Sequence, residues 1–242
     1  MARTGNENVV DQVRRTLQGE PRIALARHPI AISFADGALT LEGEVADIAA
    51  KKLALEKAAA LPPVSGIVDR LHVAPSAPMG DKALRDAVHD ALLQEPALAN
   101  CALSERVKGA WRRLRVPIEA AGEIRVEVSS GVVTLNGAVP GHSHKRLAGV
   151  LCWWVPGTRD VINGLAVDPA EPDNDAEITD AVRLVLEKDP FVNAGQIQVG
   201  THDCVVTLRG MVPTPTEREM AEFDAWFVFG VDKVLNELAV GS

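Results

Sequence analysis

The sequence predicts an α+β protein made of three tandem αββαβ units, each with two helices packed on a three-stranded mixed sheet. Three observations carry this. First, the frames Ala38-Leu39-Thr40-Leu41-Glu42-Gly43, Val132-Val133-Thr134-Leu135-Asn136-Gly137 and Val205-Val206-Thr207-Leu208-Arg209-Gly210 repeat. They extend without gaps over 44 positions, from Ile30, Ile124 and Ile197 to Val73, Val167 and Val240. Fixed-period self-similarity is the first thing to settle in any sequence, because it determines the architecture. Second, an apolar stripe precedes each frame and ends at a proline: Leu84, Val88, Leu92 and Pro96; Ile178, Val182, Leu186 and Pro190; and, more weakly, Val9, Val13, Leu17 and Pro21. Third, the segments Ala74–Gly80 and Asp168–Pro172 are proline-rich and lack either periodicity, as linkers do.

Each element of the unit follows in order. Asn6, Asp81 or Asp175 is the candidate N-cap, and the i, i+4, i+8 spacing behind it is one face of a helix. Alternation such as Ile124, Val126, Val128 predicts a half-buried strand. A tight turn falls at Asp36-Gly37, Ser130-Gly131 or Asp203-Cys204, and the Thr-Leu frame forms the second strand. A second helix carries Leu53, Ala54 and Ala58, matched by Leu147, Ala148 and Cys152 and by Met220, Ala221 and Ala225. A last strand ends the unit. The predicted units are 6–75, 80–169 and 173–240. The second holds 21 extra residues, about 101–121, between its proline and its repeated glycine.

Composition narrows the function. With 242 residues, 47% hydrophobic and 24% charged, and a mean hydropathy of +0.05, the chain is globular rather than disordered or fibrous. A net charge of −8 argues against nucleic acid as a partner, since affinity for phosphate backbones comes from Lys and Arg. That charge is uneven: residues 171–242 carry 5 basic and 14 acidic residues, whereas 76–170 carry 11 and 10. Three scattered cysteines point to a reduced compartment. The first residues hold no apolar leader segment, and the longest apolar run, Val150 to Pro156, is too short to span a bilayer. The expected location is cytoplasmic, or periplasmic if a leader has been removed.

The frame Asp-Gly-x-[Val/Leu]-Thr-Leu-x-Gly-x-Val, a helix, and then Pro-Gly-x-x-x-Val-x-Asn-x-Leu-x-Val resembles the BON domain. Pro156-Gly157 through Asn163, Leu165 and Val167 gives the ending in full. The first copy departs at Pro63 and Asp69, and the third at Cys204. The resemblance implies an αββαβ fold, a non-catalytic role, and contact with phospholipid or envelope components in osmotic or other stress. It implies no catalytic residue and no cofactor.

Four groups of residues are candidates for function. The 101–121 insertion holds Lys108, Trp111, Arg112, Arg113 and Arg115; with Val107, Trp111 and Leu114 at i, i+4, i+7 it predicts a basic amphipathic helix. Such a helix either contacts an anionic membrane surface or packs its stripe on a neighbouring repeat. On the second helices, Trp153, Trp154, Phe223, Trp226 and Phe227 form aromatic faces that the first copy replaces with Glu56, Ala59 and Ala60. Contiguous apolar surface of this kind predicts an interface, within the chain, with a protein partner or in a homo-oligomer. Gly43, Gly137 and Gly210 are expected to be structural, at places where a strand tolerates no Cβ. His142-Ser143-His144 lacks further ligands at metal spacing, and Asp173–Glu177 lacks the glycine and final glutamate of a calcium loop. No nucleophile or phosphate-binding motif occurs, so no enzyme, metal or cofactor is expected. The alternative to membrane contact is a cytoplasmic interaction scaffold or small-ion sensor.

Overall fold

The computed structural model describes residues 2–241. It divides into two compact units, 1–74 and 75–242. In the first, α1 (Ala2–Gln18), β1 (Ile30–Ala35), β2 (Ala38–Val45), α2 (Ile48–Ala59) and β3 (Gly66–Val73) give one αββαβ repeat. Its sheet order is β1-β2-β3, with β1 antiparallel and β3 parallel to β2. Val13 and Leu17 of α1 and Ala50, Ala54 and Ala58 of α2 close over Leu39, Leu41 and Leu71, forming the core.

The second unit holds two repeats. One comprises α3 (Asp81–Gln94), β4 (Cys101–Val107), β5 (Ala110–Arg115), β6 (Gly122–Ser129), β7 (Val132–Val139), α4 (His142–Trp153) and β8 (Asp160–Val167). The other comprises α5 (Asp175–Lys188), β9 (Ile197–His202), β10 (Val205–Val212), α6 (Pro215–Phe227) and β11 (Lys233–Val240). The α+β class and the helix–hairpin–helix–strand order agree with the sequence. The repeated asparagines tie each last strand to its second helix: Asn163 donates to the Lys145 carbonyl at 2.7 Å and Asn236 to that of Arg218 at 2.9 Å. Asp69 does this job in the first repeat, through an ion pair with buried Lys51 at 3.0 Å.

Three expectations need correction. The middle sheet has five strands, not three, in the order β5-β4-β6-β7-β8. The insertion is therefore not a helix but the hairpin β4–β5, with β4 parallel to β6. Its reversal is Lys108-Gly109, whose φ values of 49° and 82° match those of Ser130-Gly131 at 54° and 80°. Two successive left-handed residues make the turn that suits strand twist. The Val107–Trp111–Leu114 stripe straddles this turn and so shares no helix face. The N-caps also differ. Asn6 lies inside α1, α3 is preceded by Gly80, and α5 is capped by Asn174, which accepts from Ala176 and Glu177 N–H. Asp81 and Asp175 instead reach across to the hairpin turns. Asp81 accepts from the N–H of Ser130 and Gly131, Asp175 from those of Asp203 and Cys204. A left-handed pair points both amides outward, and these carboxylates fix them; Cys204, at φ 60°, bears the strain that glycine avoids elsewhere.

Gly43, Gly137 and Gly210 sit where the second strand crosses the first, with φ between 122° and 152°. A Cβ at Gly43 would come 2.8 Å from the Pro29 carbonyl oxygen, and at the other two it would collide with the oxygens of Glu123 and Gln196.

Candidate functional site

The hairpin β4–β5 turns two different faces outward and inward. Pairing puts Arg106 opposite Trp111 and Ser104 opposite Arg113, so these four share one face. Strand alternation sends Glu105 and Arg112 to the other, beneath α3. There Glu105 is fully buried, with Arg85 Nε at 2.9 Å and His89 Nε2 at 3.2 Å. Arg112 closes the cluster from the solvent side, donating to the Glu105 carboxylate. Burial lowers the His89 pKa; the Glu105 charge opposes this and Arg85 reinforces it. Arg115 is likewise structural, donating to the carbonyls of Cys101 at 3.0 Å and Leu98 at 2.6 Å. Of the five residues singled out in the insertion, Arg112 and Arg115 are thus committed inward.

The outward face is different. Trp111 is 45% exposed, with the guanidinium of Arg106 6.0 Å and that of Arg125 5.9 Å from its ring centroid. Arg106 also pairs with Glu127 at 3.2 Å. Arg113 lies exposed on the same face, and Lys108 forms the hairpin tip. β5 is also one edge of the sheet. The result is a half-exposed indole among cationic groups on a hairpin at the sheet edge. Arg125, from β6, was not legible as part of this group, because only strand pairing brings it there.

The aromatic residues of the second helices meet each other. Trp153 stacks on Phe227 with ring centroids 5.8 Å apart and planes at 19°. Trp154 donates its indole N–H to Asp224 at 2.9 Å. Trp226 is buried and Phe223 half-buried. Around this seam Arg146 donates to the Phe229 carbonyl at 2.9 Å and pairs with Asp173 at 2.6 Å. Lys145 sits 4.7 Å over the Phe229 ring, and Lys188 pairs with Glu95 at 2.8 Å. α4 packs on both α5 and α6, so the helix layers of the second and third repeats face each other. His142 binds the linker: its N–H donates to the Glu171 carboxylate at 2.8 Å, and its ring lies 3.5 Å from Asp173.

Cys152 is fully buried, and its thiol is pushed far up by desolvation. Among the described residues no group of three or more His, Cys, Asp or Glu is placed to hold a metal, and no helix is long and apolar enough to cross a membrane.

The BON domain family model matches residues 6–75, 80–169 and 174–242, so the chain belongs to the BON domain family, with three copies. A curated relative, osmotically-inducible protein Y of Escherichia coli strain K12, is 30% identical over 122 residues. That match covers 48% of this chain and 61% of the relative, less than two thirds of its length. Two solved structures of CdsD, a structural protein of the type III secretion system of Chlamydia trachomatis, align over 97% of this chain at 14% identity. They are covered to 98% and 92%, with TM-scores of 0.26 and 0.25.

Proposed function

We propose that this is a non-enzymatic tandem BON protein that engages anionic phospholipid surfaces in osmotic-stress adaptation, using the outward face of the β4–β5 hairpin. The observation that supports this most is Trp111, half exposed between Arg106 and Arg125, with Lys108 and Arg113 beside it. An indole has an apolar body and a polar N–H and favours the headgroup level of a bilayer. Each Lys or Arg near an anionic surface adds roughly 1 kcal/mol. The family match and the osmotic-stress relative support the setting. Cosedimentation with phosphatidylglycerol-containing vesicles tests the proposal. Binding is expected at low salt, to weaken as salt rises, and to be lost in Trp111→Ala with Arg113→Glu. Equal binding by that variant contradicts it.

A second reading, a protein-interaction scaffold, is favoured by the edge position of β5, where a basic strand offers pairing to an acidic extended segment. Pull-down of an acidic peptide without vesicle binding would select it.

A further inference from the structure

Each repeat places an acidic residue just past the end of its first helix: Glu20, Glu95 and Asp189. The same position of each second helix faces it, and here the repeats diverge. The first repeat has Lys57, which pairs with Glu20 at 3.3 Å. The second has Leu151, and Glu95 takes Lys188 from the third repeat instead. The third has Asp224, so two carboxyl groups meet where the first repeat builds a salt bridge. Asp224 is 3% exposed and Asp189 8%. By the equivalence with Glu20 and Lys57 the two carboxyl groups are brought side by side in a buried site, an arrangement that favours a proton between them. Asp224 Oδ1 accepts the Trp154 indole N–H from the second repeat at 2.9 Å, while its Oδ2 is buried with no donor to receive. Asp189 accepts the N–H of Phe191 at 2.8 Å.

We infer that Asp189 and Asp224 form a proton-sharing carboxyl pair that latches the third repeat to Trp154 of the second, and that loss of the shared proton at alkaline pH loosens this seam. Two adjacent carboxylates in a dry site cannot both ionise without repulsion. The groups facing Asp224 leave no compensation. From α4 comes the neutral indole of Trp154, and from the end of α5 comes Asp189. Lys188 is committed to Glu95, and Arg146 of α4 to Asp173 and the Phe229 carbonyl. Among the described residues Asp189 is the charge that acts on Asp224. Burial first, and that like charge second, push Asp224 up to about 8, against the opposing pull of the Trp154 N–H. The seam that loosens includes the Trp153–Phe227 stack, so ionisation exposes aromatic surface hidden at lower pH.

Infrared titration of the full chain from pH 6 to 9.5 tests this, read alongside near-ultraviolet circular dichroism of the tryptophans. The wild type is expected to keep a protonated-carboxyl C=O band above pH 6, lost with a midpoint near 8. A dichroism change with the same midpoint should accompany it. Asp224→Asn keeps an acceptor for Trp154 and a donor for Asp189, so it should fold, lack the band and lack the dichroism change. Asp189→Asn should move the midpoint down. Absence of the band in the wild type, or an unaltered dichroism transition in Asp224→Asn, overturns the inference.

Discussion

Arg112 and Arg113 are neighbours with opposite duties, and the contrast is set by strand alternation alone. Arg112 closes over buried Glu105, whereas Arg113 faces outward beside Trp111. Glu105→Ala removes the buried counter-charge of Arg85, leaving it the longer 3.8 Å contact with Asp86, and is expected to destabilise the second unit by about 3 kcal/mol in chemical denaturation. Arg112→Ala should cost less, about 1 kcal/mol, because its guanidinium is largely exposed and Arg85 and His89 still serve Glu105. Arg113→Glu should leave stability unchanged and weaken vesicle binding. His89 adds a pH dependence. Its folded pKa lies below the ordinary 6.5, so the unfolded chain takes up a proton first as pH falls. The stability this group provides is present above pH 6.5 and declines as pH drops toward the folded pKa. The contribution is read as a difference between two proteins: in melting scans from pH 7.5 to 5, His89→Gln should lose it, so that its stability falls less, or rises more, than that of the wild type as pH drops.

The repeats were legible in sequence because each buried position is apolar and in phase: Leu39 and Leu41, Val133 and Leu135, Val206 and Leu208 all lie in the core. The insertion was not, for a physical reason. Its inward strand positions are Cys101, Leu103 and Glu105, and a charged residue at the third hides the period-2 signal. The burial of Glu105 depends on Arg85 and His89 from α3, which no local pattern shows. The usable signal was Lys108-Gly109, a turn pair between two runs of strand length. Gly109, at φ 82°, has open space around its Cβ position, so backbone conformation alone disfavours a substitution there. Gly109→Val should cost the hairpin about 1–2 kcal/mol and lower vesicle affinity in parallel, seen as faster amide exchange across β4–β5. The aromatic helix faces were visible as a group. The polar partner of Trp154 was not, since Asp224 carries no motif.

On the scale of the whole molecule, the first repeat ends its second helix in Ala59 and Ala60, while the second and third carry the aromatic seam that makes 75–242 one unit. That seam has its own pH dependence. Asp224 holds its proton up to about 8 in the folded chain, against 3.8 ordinarily. The folded state therefore binds an extra proton between these values, and stability falls as pH rises through that window, by up to about 1.4 kcal/mol per pH unit from this group. Asp224→Asn should be the more stable protein at pH 8 and lose this slope. Charge is also divided: residues 171–242 carry 14 acids against 5 bases, and the proposed anion-binding face lies on the hairpin of the middle repeat. The most direct measurement of that role is Trp111 fluorescence in a chain whose other tryptophans are phenylalanine, titrated with phosphatidylglycerol vesicles at low salt. A blue shift that salt reverses and that Arg113→Glu with Lys108→Glu abolishes is the predicted result. An emission spectrum unmoved by vesicles that the chain demonstrably binds would place the contact elsewhere and contradict it, as would failure to bind at all.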